Sequence, residues 1–509
     1  MNNLGFPLLS LIILLPLAGA IATGVTRNVK AAKNIALTAA GLELLLTLIV
    51  VLLFNAAHGD RFQLVERYAW IPNLNIEFLV GIDGISVLFL PMSALITLMA
   101  IIASWNSVQY LPRLHFALLL ALEGVTLGVL TALDLALFFL FWELTLPPLF
   151  FLIGLWGIGP KRRYAAMKYT LFMLFGGVPL LFAIILLAIN HASAVQGVIP
   201  QDLSFSLPVL LETPLPDHLQ ALVFLLLLLG FAVKAPLIPL HTWLPTAAME
   251  GPAPITALLT GLKLGVYGLL RFTLPLAPSA AVEYSWALGI LGAITLIYGA
   301  LIALQQSNLR RLLAYAGISH VGLVIIGIAS LTLQGLQGAI FQLFNFTLIA
   351  GALMLIAGFI QQRLGSTELL HLGGLAKVMP RLTTFYFLFA LASIGLPGTS
   401  GFPAELLLII GALTAHPSLG ITALAGAVLS AAYMLSFTRR AFFGPVTQAA
   451  VKQAQDLRPR ELALLCIPAL LVLVLGFFPN TLLNVNKVAA EAWLSRLLEQ
   501  PVLVSGRSG

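Results

Sequence analysis

Long apolar segments constrain this chain more than any other feature of its sequence. Windows of about 20 residues with few charges recur along its whole length, and each is long enough to cross a bilayer as a helix. We predict fourteen such spans, at 6–26, 35–56, 78–105, 114–131, 134–156, 166–190, 219–245, 254–272, 284–304, 311–331, 337–360, 382–413, 418–438 and 461–482. The chain is 60% hydrophobic and 9% charged, whereas a soluble domain carries about 25% charged residues. These observations predict an all-α polytopic membrane protein.

Basic residues in the predicted loops test the number of spans and their direction. Odd-numbered loops hold 17 of the 26 Lys and Arg residues, and even-numbered loops, the flank of the eighth span and the C-terminal tail together hold 6. The positive-inside rule places the odd loops in the cytoplasm and both termini on the opposite side. The first apolar stretch lacks a basic leader and is long, so we interpret it as a span and not as a cleaved signal.

Several classes of site are excluded by the residue types present. The single cysteine, Cys466, rules out disulfides within the chain and a cysteine-ligated iron–sulfur cluster. No nucleophile–base set, phosphate-binding loop or metal-spaced cluster is found, and no basic stripe with aromatics indicates nucleic-acid binding. Asp83 and Asp134 lie near span ends, and we interpret both as structural, the second as a helix N-cap. We expect the chain to bind no cofactor or metal.

Ionisable residues near the bilayer centre are the candidates for function. Glu123, Glu143, Lys263 and His320 each lie nine residues inside a predicted span, which is roughly 14 Å at 1.5 Å per residue. Lys234 lies about 22 Å along the seventh span by the same arithmetic. Because each such group costs roughly 2.5–3.5 kcal/mol on insertion scales, it is a functional candidate by default.

Structural interpretations of these residues remain open. Glu143 is alternatively a structural partner for a buried base, and Lys263 is alternatively a side chain that snorkels to the membrane surface. His320 is alternatively a core histidine that is hydrogen-bonded to a carbonyl. For Glu123, a structural and a functional role are equally favoured. Acids and bases at one depth on different helices attract each other, since neither stays ionised alone in hydrocarbon. The proton affinity of such a pair changes when it separates, which is what a proton pump needs.

The stretch "FAVKAPLIPLHTWLP", residues 231–245, predicts a break in the seventh span. Each proline lacks an N–H and clashes with the carbonyl four residues back. The carbonyls of Ala232, Ala235 and His241 are therefore expected to be free, which at membrane depth requires a protein or water partner.

A second break is predicted in "LASIGLPGTSGFPAE", which ends on Glu405. The two broken spans lie five apart, and each carries a charge beside its break. This spacing is typical of an internal repeat of the transporter type, and an odd number of spans per unit makes successive units inverted. The alternative is that both breaks are kinks for packing.

Five segments together resemble one membrane-protein family. They are the two breaks and "LGVLTALDLALFFLFWELTLPPLFFLIGLWG", "NLRRLLAYAGISHVGLVIIGIAS" and "LGGLAKVMPRLTT". The chain is similar to the antiporter-like membrane-arm subunits of respiratory complex I, in particular the chain-4 (NdhD) type. This resemblance implies proton translocation driven by quinone reduction, with quinone and iron–sulfur clusters in partner subunits. It implies helices 1–3 over residues 1–112, inverted repeats over 113–273 and 283–440, and helix 14 with the tail over 461–509.

The resemblance also implies roles for the candidate residues. Glu143 and Lys234 match the pair whose opening starts proton transfer, Lys263 the central relay, His320 the next carrier and Glu405 the terminal group. Whether Glu123 is a second partner for Lys234 stays open. The expected partners are the other membrane-arm subunits and the lipid bilayer, with no nucleic acid.

Two departures from the family pattern bear on the subtype. The family commonly has a histidine near the centre of the eleventh span, where this chain has Phe346, and "LPTAAMEGP" places Thr246 and Ala248 where Asp and His are common. The latter is similar to variants from cyanobacterial complexes devoted to CO2 uptake. That subtype implies a carbonic-anhydrase-like partner and a thylakoid location, with a bacterial inner membrane as the alternative. Two other functions stay open: a subunit of a multi-chain Na+/H+ antiporter, and a scaffold with vestigial charges.

Overall fold

The computed structural model describes residues 5–498. The end of the segment predicted as helix 14 and its tail, residues 499–509, lies outside the described residues. Twelve helices within the described part are long and apolar enough to cross a membrane. The predicted helical membrane architecture is therefore confirmed.

The helices and strands follow in chain order. The first part forms α1 Leu8–Val25, α2 Val29–Leu53, β1 Gln63–Ile71, β2 Ile76–Ile82, α3 Phe89–Ser104 and α4 Pro112–Thr131. The middle part forms α5 Leu135–Leu144, α6 Leu146–Trp156, α7 Arg162–Ala194, α8 Leu207–Glu212, α9 Asp217–Lys234, α10 Trp243–Glu250, α11 Ala253–Gly261, α12 Leu264–Gly268, a π-helical turn Leu269–Thr273 and α13 Leu274–Leu276. The last part forms α14 Pro278–Glu283, α15 Ser285–Leu304, α16 Leu309–Ala329, α17 Leu333–Asn345, a π-helical turn Phe346–Ala350, α18 Gly351–Leu364, α19 Leu375–Val378, α20 Pro380–Ser393, α21 Gly401–Ala415, α22 Pro417–Phe442, α23 Ala449–Lys452, α24 Pro459–Phe477 and α25 Asn480–Leu498.

Two of the predicted spans correspond to shorter elements. The apolar helices α3 and α21, of 16 and 15 residues, lie where the third and twelfth spans are predicted. The count of fourteen spans therefore stays a prediction. The predicted start of the third span, at residue 78, is wrong, because β2 pairs there antiparallel with β1. A short apolar run does not by itself distinguish strand from helix, and Asn75 makes the connecting turn with a left-handed backbone, φ 54°.

The interior of the molecule is formed by three segments of the chain. In each of the segments Ala253–Leu276, Leu309–Ala329 and Leu333–Leu364, 94% of the most apolar stretch is buried. The outer helices instead expose large apolar side chains, such as Leu52 on α2 and Val428 on α22. An apolar exterior around a buried polar centre is what a protein surrounded by lipid requires.

Both predicted helix breaks are present. Helix α9 ends at Lys234 and the chain resumes as α10 at Trp243, while α20 ends at Ser393 and α21 begins at Gly401. The prediction of free carbonyls is wrong for Ala232, whose oxygen accepts a hydrogen bond from the Leu237 amide at 3.0 Å. It is also wrong for His241, whose oxygen accepts from the Leu244 amide at 3.1 Å. The chain turns back sharply after α9 and satisfies these groups with its own backbone.

The eighth predicted span contains a break that the sequence patterns do not indicate. Helix α11 ends at Gly261 and α12 begins at Leu264, so Lys263 lies between two helices. No proline marks this position, and the apolar run predicts a continuous helix there. Gly265 permits the close approach, because a Cβ at this residue would overlap the backbone of Lys234 and Ala235. The two broken segments therefore meet at their breaks.

A matching pair of backbone bridges favours the predicted inverted repeats. Asp134 caps α5 and bridges to Ser206, and Asn308 caps α16 and bridges to Glu368. These caps stand in corresponding places of the two predicted repeats. The Asp134 side chain accepts backbone hydrogen bonds at 2.8 and 3.0 Å, which bears out its interpretation as an N-cap. The repeats and their boundaries stay predictions.

Candidate functional site

The helix breaks place most of the predicted residues along the buried centre of the molecule. Lys234 closes α9, Lys263 lies in the break before α12, His320 lies on α16 and Glu405 on α21. Lys263, His320 and Glu405 are 5%, 8% and 5% exposed. The interpretation of Lys263 as a snorkelling side chain is therefore wrong.

Lys234 is held by the end of α5 rather than by a carboxylate. Its Nζ donates a hydrogen bond to Thr145 Oγ1 at 2.9 Å and contacts the Trp142 carbonyl oxygen at 3.4 Å. The ammonium also lies 3.8 Å from the centre of the Trp142 ring, which is a favourable cation–π geometry. These neutral groups hold the cation in a defined position without neutralising its charge.

Glu143 stands near Lys234 but forms no ion pair with it among the described residues. The two charges interact electrostatically. The carboxylate instead packs against Gly177 of α7, and its Oε1 has no hydrogen-bond partner in the part of the chain that the structure describes. The two groups of the predicted pair are therefore not in direct contact. That separation of this pair starts proton transfer stays a prediction.

Gly177 offers a direct test of where the Glu143 carboxylate must lie. A Cβ at residue 177 would overlap Glu143 Oε1, so we expect Gly177→Ala to displace the carboxylate and to lower quinone-coupled proton uptake severalfold. Stability should change by less than about 1 kcal/mol, since the atom that moves is the end of a flexible side chain. The control is Gly154→Ala, because a Cβ there would lie 3.5 Å from Ala166. Equal proton uptake in the two variants would contradict the assignment.

Lys263 is a buried amine without a hydrogen-bond partner among the described residues. Its Nζ lies 5.2 Å from the centre of the Phe346 ring. Phe346 is the residue found where the family resemblance expects a histidine. The ring partly compensates the cation through its π face but offers no site for a proton.

Two cavities lie at other members of the row of charges, one at Lys234 and one at His320. One of about 40 Å³ is lined by Lys234, Thr145 and Leu262, and one of about 30 Å³ by His320 and Asn345. A cavity above roughly 10–15 Å³ with polar partners has room for a water molecule. Each of these cavities therefore has room for water beside one candidate carrier, and Lys263 lines a third cavity of about 20 Å³.

The structure brings His320 and Glu405 together. The His320 Nε2 lies 3.5 Å from Glu405 Oε1. The two ring nitrogens of His320 also contact the carbonyl oxygens of Ala316 and Ser393 at 2.9 and 3.0 Å. Carbonyl oxygens only accept hydrogen bonds, so only the doubly protonated ring satisfies both contacts. The geometry therefore suits a histidine that carries a proton beside an acid.

Glu123 forms no hydrogen bond or ion pair with Lys234 among the described residues, and a second buried acid accompanies it. Glu43 on α2 and Glu123 on α4 are 0% and 1% exposed, and none of their four carboxylate oxygens has a hydrogen-bond partner in the described chain. The two groups interact electrostatically. Glu43 lies eight residues inside the second predicted span, roughly 12 Å, so the same arithmetic would identify it.

Arg271 is a further residue that the sequence patterns misplace. They put it at the flank of the eighth span, whereas its side chain is 4% exposed and ion-paired with Asp83. The structure bears out a structural role for Asp83 in one respect, because its Oδ1 accepts hydrogen bonds from the Ile85 and Ser86 amides. The described residues contain no cluster of three or more His, Cys, Asp or Glu that could hold a metal ion.

Comparison with known proteins gives the family. Residues 132–430 match the family described as NADH:quinone oxidoreductase/Mrp antiporter, transmembrane. The chain belongs to this family. It is an antiporter-like membrane subunit of the complex-I type of quinone oxidoreductase.

Full-length relatives and a solved structure agree with this assignment. The chain is 37% identical to NAD(P)H-quinone oxidoreductase chain 4 1 of Synechococcus sp. (strain JA-3-3Ab), over 99% of this chain and 97% of the relative. It is 36% identical to NADH-quinone oxidoreductase subunit M of Rickettsia typhi, over 96% and 99% of the two chains. A chain of respiratory complex I from Thermus thermophilus matches with a TM-score of 0.87 and 31% identity, over 96% and 99% of the two chains.

Proposed function

We propose that this subunit moves protons through the row Lys234, Lys263, His320 and Glu405, driven by quinone reduction in partner subunits. The observation that carries the proposal is Lys263, a buried amine that has no hydrogen-bond partner among the described residues and lines a cavity of about 20 Å³. A lone cation at this depth destabilises the protein. Lys263 lowers the stability of the protein and stands between Lys234 and His320 in the proposed order of carriers. A role in proton transfer explains why such a group is present.

The first step is release of a proton from Lys234. In the separated arrangement, the Lys234 ammonium has Thr145 and Trp142 as its contacts and lacks a directly bound counter-ion. Approach of Glu143 would stabilise the charge on Lys234, and its withdrawal would favour transfer of a proton to water in the adjoining cavity. The energy of quinone reduction would set which arrangement is populated.

The second step carries the proton from Lys263 to the acid on α21. Water in the cavity beside His320 would receive it, and the Gln342 and Asn345 amides that line this cavity would orient that water. Water in this cavity would take the role of the histidine that the family commonly has where this chain has Phe346. His320 then passes the proton to Glu405, its neighbour at 3.5 Å.

Glu143→Gln tests the proposed coupling. In the intact complex reconstituted into vesicles, we expect this variant to keep quinone reduction and assembly but to lose most of the proton uptake per quinone. Glutamine has the same shape but no charge, so the stabilisation of Lys234 would not change with the distance between the two groups. Uptake at the wild-type ratio would contradict the proposal.

The CO2-uptake form is a narrower proposal. It is supported by the "LPTAAMEGP" segment and by the cyanobacterial chain-4 relative, and it includes a carbonic-anhydrase-like partner and a thylakoid location with both termini on the non-cytoplasmic side. The similar identity to the Rickettsia relative supports the broader function equally. Purification of the complex and identification of its subunits tests it, and absence of a CO2-hydrating subunit would overturn it.

A second candidate function is a subunit of a multi-chain Na+/H+ antiporter. It is favoured by the family description, which covers both kinds of protein, and the same row of carriers would serve an exchanger. Proton flux that requires Na+ and proceeds without quinone turnover would establish this function in place of the first.

A further inference from the structure

We infer that Lys263 is a branch point, from which a second proton route runs along the eighth span past Tyr267 to Asp83, Arg271 and the end of the molecule that carries the β1–β2 hairpin. This inference rests on the proposed function and extends it. It assigns the residues of a route to one side of the membrane that neither the family match nor the row of midplane charges supplies.

The first observation is the spacing of polar residues on the eighth span. Lys263, Tyr267 and Arg271 follow one another at intervals of four residues. The Tyr267 amide donates a hydrogen bond to the Lys263 carbonyl at 3.0 Å, so these two residues are one α-helical turn apart, and Arg271 follows in the π-helical turn. All three side chains are at most 5% exposed, so these polar groups lie inside the protein.

The second observation is a cavity between the lysine and the tyrosine. It measures about 20 Å³ and is lined by Lys263, Tyr267, Thr347 and Leu130, with room for one water. The Tyr267 hydroxyl donates a hydrogen bond to the Leu130 carbonyl at 3.1 Å. Phe89 packs edge-on against the Tyr267 ring at 5.6 Å, which fixes the ring while leaving the hydroxyl beside the cavity.

The third observation is an ion pair that opens onto another cavity. Arg271, which follows Tyr267 by four residues, is ion-paired with Asp83. A cavity of about 40 Å³ next to this pair is lined by Asp60 and Arg496, both exposed at the hairpin end. The Arg271 Nε is buried and has no hydrogen-bond partner among the described residues.

The proton balance along this route is simple. An N–H bond of the Lys263 ammonium breaks and its proton passes to water in the first cavity. The Tyr267 oxygen accepts a proton from that water as its own hydroxyl turns from the Leu130 carbonyl and gives its proton to Asp83. Asp83 then gives this proton to water in the second cavity and becomes a carboxylate again. Arg271 stays charged throughout, and its charge favours that release. Lys263 is left neutral and regains one proton from Lys234, so one proton enters for each that leaves.

Tyr267→Phe in the complete complex in vesicles is the test. It removes one oxygen and keeps the packing against Phe89. We expect at least about a twofold fall in proton uptake per quinone at an unchanged rate of quinone reduction. The matched control is Tyr386→Phe, a fully buried tyrosine whose hydroxyl contacts Met434 and Thr438, and it should pump as the wild type does.

Three further variants separate the possible failures. Asp83→Asn should reproduce the Tyr267→Phe loss and Asp83→Glu should restore part of it, which a purely structural ion pair would not show at equal assembly. Wild-type uptake with Tyr267→Phe, beside lost uptake with Lys263→Met, would overturn the branch and leave the proposed function standing. Wild-type uptake with Lys263→Met would overturn the proposed function itself.

Discussion

We expect replacement of Lys263 by Met to stop proton transfer through this chain and to leave it folded. Methionine fills a similar volume and keeps contact with Phe346, but it has no site for a proton. Loss of a positioned proton carrier slows transfer by at least about 100-fold. The variant should be no less stable than the wild type, because it removes a lone buried cation that costs roughly 2.5–3.5 kcal/mol on insertion scales.

The matched control is Lys33→Met. Lys33 also lies beside aromatic rings, 5.8 Å from Trp105 and 6.0 Å from Phe116, and its Nζ donates a hydrogen bond to the Trp105 carbonyl at 2.6 Å. It lies outside the row, so its loss should leave proton uptake unchanged. Proton uptake in vesicles and thermal unfolding of the purified complex measure the two effects. A folded Lys263→Met complex that pumps normally would exclude Lys263 from the pathway.

Separate replacement of His320 and Glu405 should show that the two act as one unit. His320→Leu leaves the Glu405 carboxylate buried without its partner, which costs about 3–5 kcal/mol of stability. The double variant His320→Leu, Glu405→Leu should be more stable than His320→Leu alone, because it removes the unpaired acid. All three variants should lose proton transfer by about 100-fold or more.

His115 provides the control for loss of a buried histidine. It is fully buried, stacks edge-on against Trp156 at 4.9 Å and contacts the Ser104 hydroxyl at 3.2 Å. His115→Phe should keep proton uptake, since no carboxylate of the row contacts it. Additive stability losses for the His320 and Glu405 variants would contradict their direct interaction.

Hydropathy and residue depth predict much of this arrangement. Lys263 and His320 are buried inside the protein, and the proline-rich stretches end helices where the sequence predicts. The closeness of His320 and Glu405 follows from the family resemblance, since neither residue's depth fixes which helices face each other. The position of a residue along its span follows from the local sequence. Its neighbours on other spans depend on how the helices pack.

The remaining features depend on tertiary contacts. The break before Lys263 forms where Gly265 meets the backbone of the seventh span, and no local signal marks it. The distance between Glu143 and Lys234 depends on the side-chain position that Gly177 allows. Arg271 is basic and near a predicted span end, so a charge rule places it in a loop, whereas its ion pair with Asp83 holds it inside.

The central claim is that a movable charge interaction at Lys234 couples quinone reduction to proton transfer. The direct measurement is the number of protons taken up per quinone reduced, in vesicles that hold the complex with Lys234→Ala, at a quinone reduction rate matched to the wild type. We predict that this ratio falls by the number of protons that this subunit translocates for each quinone, while the complex stays fully assembled. A ratio equal to that of the wild-type complex would contradict the claim.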